Sequence, residues 1–84
     1  RLESWEFKLQ DTTFQIIHWK LDNTFSLSES TRRGSSMGFL EGQFIKKGNS
    51  YYLITDSTEY IIKDGYFYKF RNPTDSIKLT KMER

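Results

Sequence analysis

Apolar and polar residues alternate along most of the chain, and a period of two is the pattern of β-strands with one buried face. In the first run, Trp5, Phe7 and Leu9 alternate with charged residues, which predicts a strand over residues 4–10. The same pattern predicts further strands at 16–21, 24–28, 37–46, 50–55, 59–63, 66–71 and 76–82. No segment sustains the 3.6-residue period of an amphipathic helix.

Short polar segments separate the predicted strands, as they do in antiparallel sheets. The Asp64-Gly65 pair is the strongest hairpin signal, because both residues tolerate the left-handed backbone of a two-residue turn. Residues 28–36 are the most polar stretch and are predicted to form an exposed loop. Gly38 and Gly42 fall inside a predicted strand, where glycine marks a bulge, a sharp bend or close backbone packing. Sequential strands joined by short turns are expected to pair as an antiparallel meander.

Length and composition narrow the fold class to a single small all-β domain spanning residues 1–84. The chain has 7 Phe, 5 Tyr and 2 Trp but no alanine or valine, so its core is built from large side chains that favour strands. Seven or eight short strands with this many aromatic residues must fold over on themselves. We therefore predict an antiparallel meander that forms a small closed or half-open barrel.

Four sequence elements carry a resemblance to a known family. Ser4-Trp5 stands where that family has an early tryptophan after glycine or serine, and residues 21–25 (LDNTF) stand for its F-x-x-D-G-T-F strand, with asparagine in place of glycine. Residues 60–68 stand for its Y-x-I-x-x-G-x-L hairpin, and residues 79–81 (LTK) for its final L-x-K. On these elements, which span nearly the whole sequence, the chain resembles the small lipocalin-like domains of bacterial exported proteins.

The resemblance implies a lipocalin-like barrel, export as a secreted, periplasmic or lipid-anchored protein, and binding of a small apolar ligand or a protein partner. The chain starts at Arg1 rather than methionine, which fits a processed product whose targeting segment has been removed. A cytoplasmic location is the alternative. The chain is shorter than usual for the family, and large inward aromatic residues favour a filled interior over a ligand cavity.

Six aromatic residues are candidates for lining an apolar pocket, in which tyrosine hydroxyl groups would orient the ligand. They are Trp5, Trp19, Phe25, Tyr52, Tyr60 and Tyr68. The alternative is that these residues form the barrel core, because a chain this small needs them to fill its interior. Trp19 shares one face of its predicted strand with Ile17 and Leu21, opposite His18.

The strand at residues 66–71 supports a second interpretation, because it interleaves aromatic and basic residues (YFYKFR). Tyr66, Tyr68, Lys69 and Arg71 are candidates for an OB- or SH3-like nucleic-acid or protein-interaction surface, where aromatic rings stack on bases. Such a platform needs its aromatic residues exposed on one sheet face with basic residues around them. The 13 basic and 11 acidic residues are interleaved and the net charge is only +2, so nucleic acid is the less favoured partner.

The sequence carries no signature of catalysis, and we expect a protein that works without enzymatic activity, metal or cofactor. The absence of cysteine excludes disulfides, thiolate metal sites and a cysteine nucleophile. His18 is the only histidine, and a lone histidine is more often structural than catalytic. No apolar run approaches the ~20 residues of a membrane-spanning helix.

Overall fold

The computed structural model describes residues 2–30, 36–70 and 74–82, and within these ranges all regular structure is β-strand. The strands of the described ranges are β1 (Leu2–Leu9), β2 (Thr12–Trp19), β3 (Thr24–Ser30), β4 (Ser36–Lys47), β5 (Ser50–Ile54), β6 (Glu59–Lys63), β7 (Tyr66–Tyr68), β8 (Ser76–Lys78) and β9 (Thr80–Met82). Within the described ranges, all strand pairings are antiparallel. The predicted all-β, antiparallel fold class is confirmed.

The sheet is closed by the last stretch of the chain. Strands follow one another in the order β8-β7-β6-β5-β4-β3-β2-β1-β9, so β8 and β9 occupy opposite edges of the sheet. These two strands are separated in sequence by Leu79 alone, which means that one continuous segment pairs with β7 on one side and with β1 on the other. The sheet therefore curls into a nearly closed barrel, as the meander pattern predicts.

Predicted strand boundaries differ from the structure at several points. The strand predicted at 16–21 spans Thr12–Trp19. β3 continues through Ser30, because Glu29 and Ser30 pair with the start of β4, and residues 31–35 of the predicted loop lie outside the described residues. The strand predicted at 66–71 ends at Tyr68, because Lys69 takes a positive φ of 70° that breaks the extended backbone. Asn72 and Pro73 of the following predicted turn also lie outside the described residues.

Two hairpin turns have the backbone that the sequence predicts. Asp64 and Gly65 both have positive φ angles, 55° and 82°, as a type I′ turn requires, and they join the paired residues Lys63 and Tyr66. Between β4 and β5, Gly48 has a positive φ of 60°. Each turn is only two residues long, so it fixes the register of the strands that it joins.

Inward-facing aromatic rings fill the barrel in two clusters. At one end the cluster comprises Phe7, Phe14, Tyr60, Phe67 and Phe70, with neighbouring ring centroids 4.9–6.0 Å apart. At the other end it comprises Trp5, His18, Phe44 and Tyr51, with neighbouring centroids 3.8–5.8 Å apart. Ile16, Leu27 and Leu53 belong to the same core and are fully buried. The centre of the barrel is thus occupied by side chains.

β2 carries apolar residues on both faces, and its pairing with β1 decides which face is buried. Trp5 and Phe7 pair directly with Ile16 and Phe14, so the even-numbered residues of β2 point into the barrel. Trp19 lies on the outer face and is 42% exposed. The Trp19 side chain therefore lies outside the barrel interior.

Glycine residues in β4 mark a bulge and a close contact, two of the features expected of them. Leu27 pairs with Leu40 whereas Ser28 pairs with Gly38, so β4 has one extra residue at this point. At Gly42, a Cβ atom would overlap the backbone carbonyl oxygen of Ile54 and lie 2.9 Å from a ring carbon of Phe25. Gly42 therefore allows β4 and its neighbours to approach more closely than any other residue would permit.

We expect Gly42→Ala to lower the free energy of unfolding by about 2–3 kcal/mol, because the added methyl group forces backbone or ring movement in a packed core. Gly48→Ala is the matched control. Its Cβ meets no atom within 4 Å, so it costs only about 1 kcal/mol for the positive φ. Urea unfolding, monitored by tryptophan fluorescence, measures the free energy of unfolding of both variants. Equal losses of stability in the two variants would contradict the close-packing explanation.

Candidate ligand-binding site

The structure brings three of the six predicted ligand residues to the inside of the barrel. Trp5 and Phe25 are buried in the core, and Tyr60 is partly buried against it. Phe25 packs beside Gly42, and Tyr60 packs on Phe67 and Phe70 at the end remote from Trp5. These three residues are therefore not gathered around one cavity.

The other three predicted ligand residues point outward. Trp19 borders an outer groove of about 690 Å³, and its indole N–H donates to Ser26 Oγ at 3.1 Å. Tyr52 and Tyr68 alternate with buried neighbours in β5 and β7 and are only partly exposed on the outer surface. Tyr51, the neighbour of Tyr52, points inward instead and packs on Trp5 and Phe44.

The residues of the alternative interpretation also point outward where they are described. Tyr66 is 38% exposed and lies with Tyr68 on the outer face of β7, and Lys69 is exposed beyond the end of the strand. Arg71 lies outside the described residues.

One end of the barrel, which we call the mouth, carries a polar network. The mouth is formed by the start of β1, the end of β9 and the turns at 20–23, 48–49 and 64–65. Glu3 Oε2 accepts a hydrogen bond from Lys81 Nζ at 2.7 Å, and Glu3 Oε1 accepts one from His18 Nδ1 at 3.1 Å. The Glu3 side chain is 14% exposed and that of His18 10%, whereas that of Lys81 is 50% exposed. The network therefore runs from the buried core to the solvent.

The electrostatics of the network favour an ionised Glu3. Burial raises the pKa of the Glu3 carboxyl group, but the hydrogen bonds from Lys81 and His18 and the charges of Lys81 and Lys20 outweigh this effect. The pKa of Glu3 consequently lies below its ordinary value of 4.5.

Aromatic packing holds His18 in place within this network. Its ring stacks on Phe44 with 3.8 Å between centroids, and its Nε2 atom lies 3.3 Å from Asn23 Oδ1. The backbone N–H of Phe44 in turn donates to the Asn23 carbonyl oxygen at 2.9 Å. His18 is thus held by contacts with Glu3, Asn23 and Phe44.

A cavity of about 290 Å³ opens beside the network. Its apolar surface comes from Trp5, Tyr51, Ile62 and Leu79, and its polar rim from Asn49, Asp64, Gly65 and Lys81. The Lys81 ammonium also lies 5.7 Å from the centroid of the Trp5 ring, within cation–π distance. The mouth therefore offers apolar ring faces together with hydrogen-bond donors and acceptors at one edge.

Sequence reasoning missed Glu3, Tyr51 and Lys81 as site residues. Strand alternation carried the necessary signal, because Glu3 lies two residues before Trp5 and Lys81 two residues after Leu79, on the inward side of each strand. Only the pairing of Trp5 with Lys81 across β1 and β9 brings the two charges together.

No protein-family profile, curated protein or solved structure gives a significant match to the chain. The lipocalin-like resemblance accordingly stays a prediction from sequence motifs. Across the described ranges, no group of three His, Cys, Asp or Glu residues is placed to hold a metal ion. Those ranges likewise contain no helix long and apolar enough to cross a membrane.

We expect Glu3→Gln to lower the free energy of unfolding at neutral pH by about 1–2 kcal/mol, because two charge-assisted hydrogen bonds are weakened and one partner is half exposed. The folded-state pKa of Glu3 is lowered, so its stabilisation is present above the ordinary value of 4.5 and is lost as the pH falls through the folded-state pKa. The difference between wild type and Glu3→Gln therefore shrinks in acid.

Urea unfolding at a series of pH values from 7 to about 3 measures this difference. Glu6→Gln, the same change on the outer side of β1, is the control and should give a small difference. A Glu3→Gln penalty that stayed constant over the whole series would show that the charge of Glu3 is not what stabilises the mouth.

Proposed function

We propose that the protein is a non-enzymatic binding module of lipocalin-like type that takes a small ligand at the mouth of its barrel. The observation that carries the proposal is the cavity between Trp5, Tyr51, Leu79 and Lys81. Placement outside the cytoplasm belongs to the same proposal and rests on the sequence resemblance alone.

The filled centre argues for a ligand at the mouth rather than in the middle of the barrel. Phe14, Phe25 and Phe67 are among the largest fully buried side chains, and their rings occupy the volume in which a long apolar ligand would lie. Opening that volume would require removal of core packing, which costs several kcal/mol per large side chain. The mouth cavity is available without such a rearrangement.

The chemistry of the mouth specifies a small ring-containing molecule with a polar edge. A volume of about 290 Å³ lies at the lower limit of ordinary ligand pockets, which suits one or two rings rather than a long chain. Trp5 and Tyr51 provide aromatic contact, while the Lys81 ammonium, the Asn49 amide and the Asp64 carboxylate provide donors and acceptors. Charges of both signs at the rim favour an uncharged ligand over a strongly ionic one.

We expect 2-naphthol, a fused ring with one hydroxyl group, to bind saturably and to shift the backbone amide NMR signals of Asn49, Gly65 and Lys81. Decanoate, a carboxylate with an apolar chain and no ring, should not shift them, because it cannot stack on Trp5 and Tyr51 and carries a full charge. Leu79→Phe should weaken 2-naphthol binding about tenfold or more, equivalent to about 1.4 kcal/mol, because the larger ring occupies the cavity.

Leu21→Phe is the control, since Leu21 is 98% exposed in the β2–β3 turn and does not line the cavity. Lys81→Met, with the exposed Lys8→Met as its control, removes the rim ammonium group and should also weaken 2-naphthol binding. Because Glu3 then loses one of its partners, urea unfolding first checks that the variant is folded. Absence of 2-naphthol shifts, equal affinity of wild type and both site variants, or tighter binding of decanoate would each overturn the proposal.

A further inference from the structure

The outer face of β4–β8 carries two parallel rows of side chains that the mouth does not use. Strand register places Ile45, Tyr52, Ile61 and Tyr68 side by side, because each pairs with the next across adjacent strands. Each of the four is next in sequence to at least one residue that is buried or packed on the core, so these four side chains point outward and are partly exposed. Paired strands lie about 4.8 Å apart, so the row crosses the sheet as a continuous apolar and aromatic band.

A row of lysines runs directly beside this band. Lys47 on β4, Lys63 on β6 and Lys78 on β8 stand on alternate strands. Ser50 pairs with both Lys47 and Lys63, and Tyr66 pairs with both Lys63 and Lys78, so the three lysines lie in one row across the sheet. All three lysines are exposed, and within the described part of the chain none of them forms an ion pair with a carboxylate. We call the two rows together the tyrosine–lysine face.

Acidic residues border this face without interrupting it. Glu59 lies beyond the band on the side away from the lysines, in the row of Ile54. Asp64 directly follows the end of β6, and Asp75 directly precedes the start of β8. The positive charge of the face is therefore concentrated along one edge, with the aromatic surface beside it.

We propose that the tyrosine–lysine face binds single-stranded nucleic acid. Bases would stack on the outward rings of Tyr52, Tyr68 and Tyr66, and the phosphate backbone would follow the lysine row. Lys47 Nζ already lies 5.8 Å from the centroid of the Tyr52 ring, which shows how closely the charge and the stacking surface adjoin. The arrangement satisfies the requirement for exposed aromatic residues on one sheet face with basic residues around them.

The geometry favours nucleic acid over a membrane or an acidic protein segment. A ladder of lysines about 10 Å apart, on every second strand, suits a repeating anion, and aromatic rings at regular intervals beside it suit repeating planar bases. The face lies on the outside of the barrel, so this proposal is independent of ligand binding at the mouth.

The test is fluorescence anisotropy with a labelled 12-nucleotide oligothymidylate, an abasic phosphodiester of the same length, and vesicles containing phosphatidylglycerol. We expect the oligothymidylate to bind at low salt and the abasic strand to bind about tenfold or more weakly, because it cannot stack. Tyr52→Leu and Tyr68→Leu should each weaken oligothymidylate binding about fivefold or more and leave abasic binding unchanged.

Lys63→Gln should reduce the dependence of log affinity on log salt by about 0.7, the loss of one phosphate contact with a single strand. Lys8→Gln, on the outer face of β1, is the control and should leave that slope unchanged. No binding at low salt, equal affinity for the abasic strand, or binding to the vesicles alone would overturn the proposal, and the last result would assign the face to a lipid surface.

Discussion

The barrel depends on the segment from Ser76 to Met82, which is hydrogen-bonded to both edges of the sheet. Every other neighbouring pair of strands is consecutive in sequence. Only this segment converts a curved meander into a barrel, because it satisfies the edge groups of β1 and β7 together. The same segment contributes Leu79 to the buried core, and Ile77 packs against that core.

Much of the fold is readable from sequence because alternation and turn chemistry agree along the chain. Asp64-Gly65 gives the turn that its residue types require, and the Trp5–Phe7–Leu9 alternation gives the correct inner face of β1. β2 is different because Ile16 and Ile17 give it two apolar faces of similar strength. A period of two does not show which of the two faces is buried. Pairing with β1 determines the buried face, and this pairing is not visible in the sequence of β2 itself.

The candidate site was less predictable because its chemistry comes from residues far apart in sequence. Glu3 and Lys81 are 78 positions apart and meet only through the closing pair of strands. Each residue alone resembles an ordinary surface charge at a strand end. Adjacent tyrosines at 51 and 52 posed a related problem, because one packs beside Trp5 and the other faces solvent, and composition cannot separate them.

The seam between β1 and β9 has a mechanical consequence. Among the described residues, three pairs, from Ser4–Met82 to Glu6–Thr80, join these strands, whereas eight pairs join β1 to β2. The two strands are antiparallel, so their outer ends at Leu2 and Met82 lie at the same end of the barrel. Tension applied between those ends would load the interstrand hydrogen bonds one at a time, as in unzipping, and not all together, as in shear. The barrel would thus yield at low force along this one line, with its local hairpins still intact.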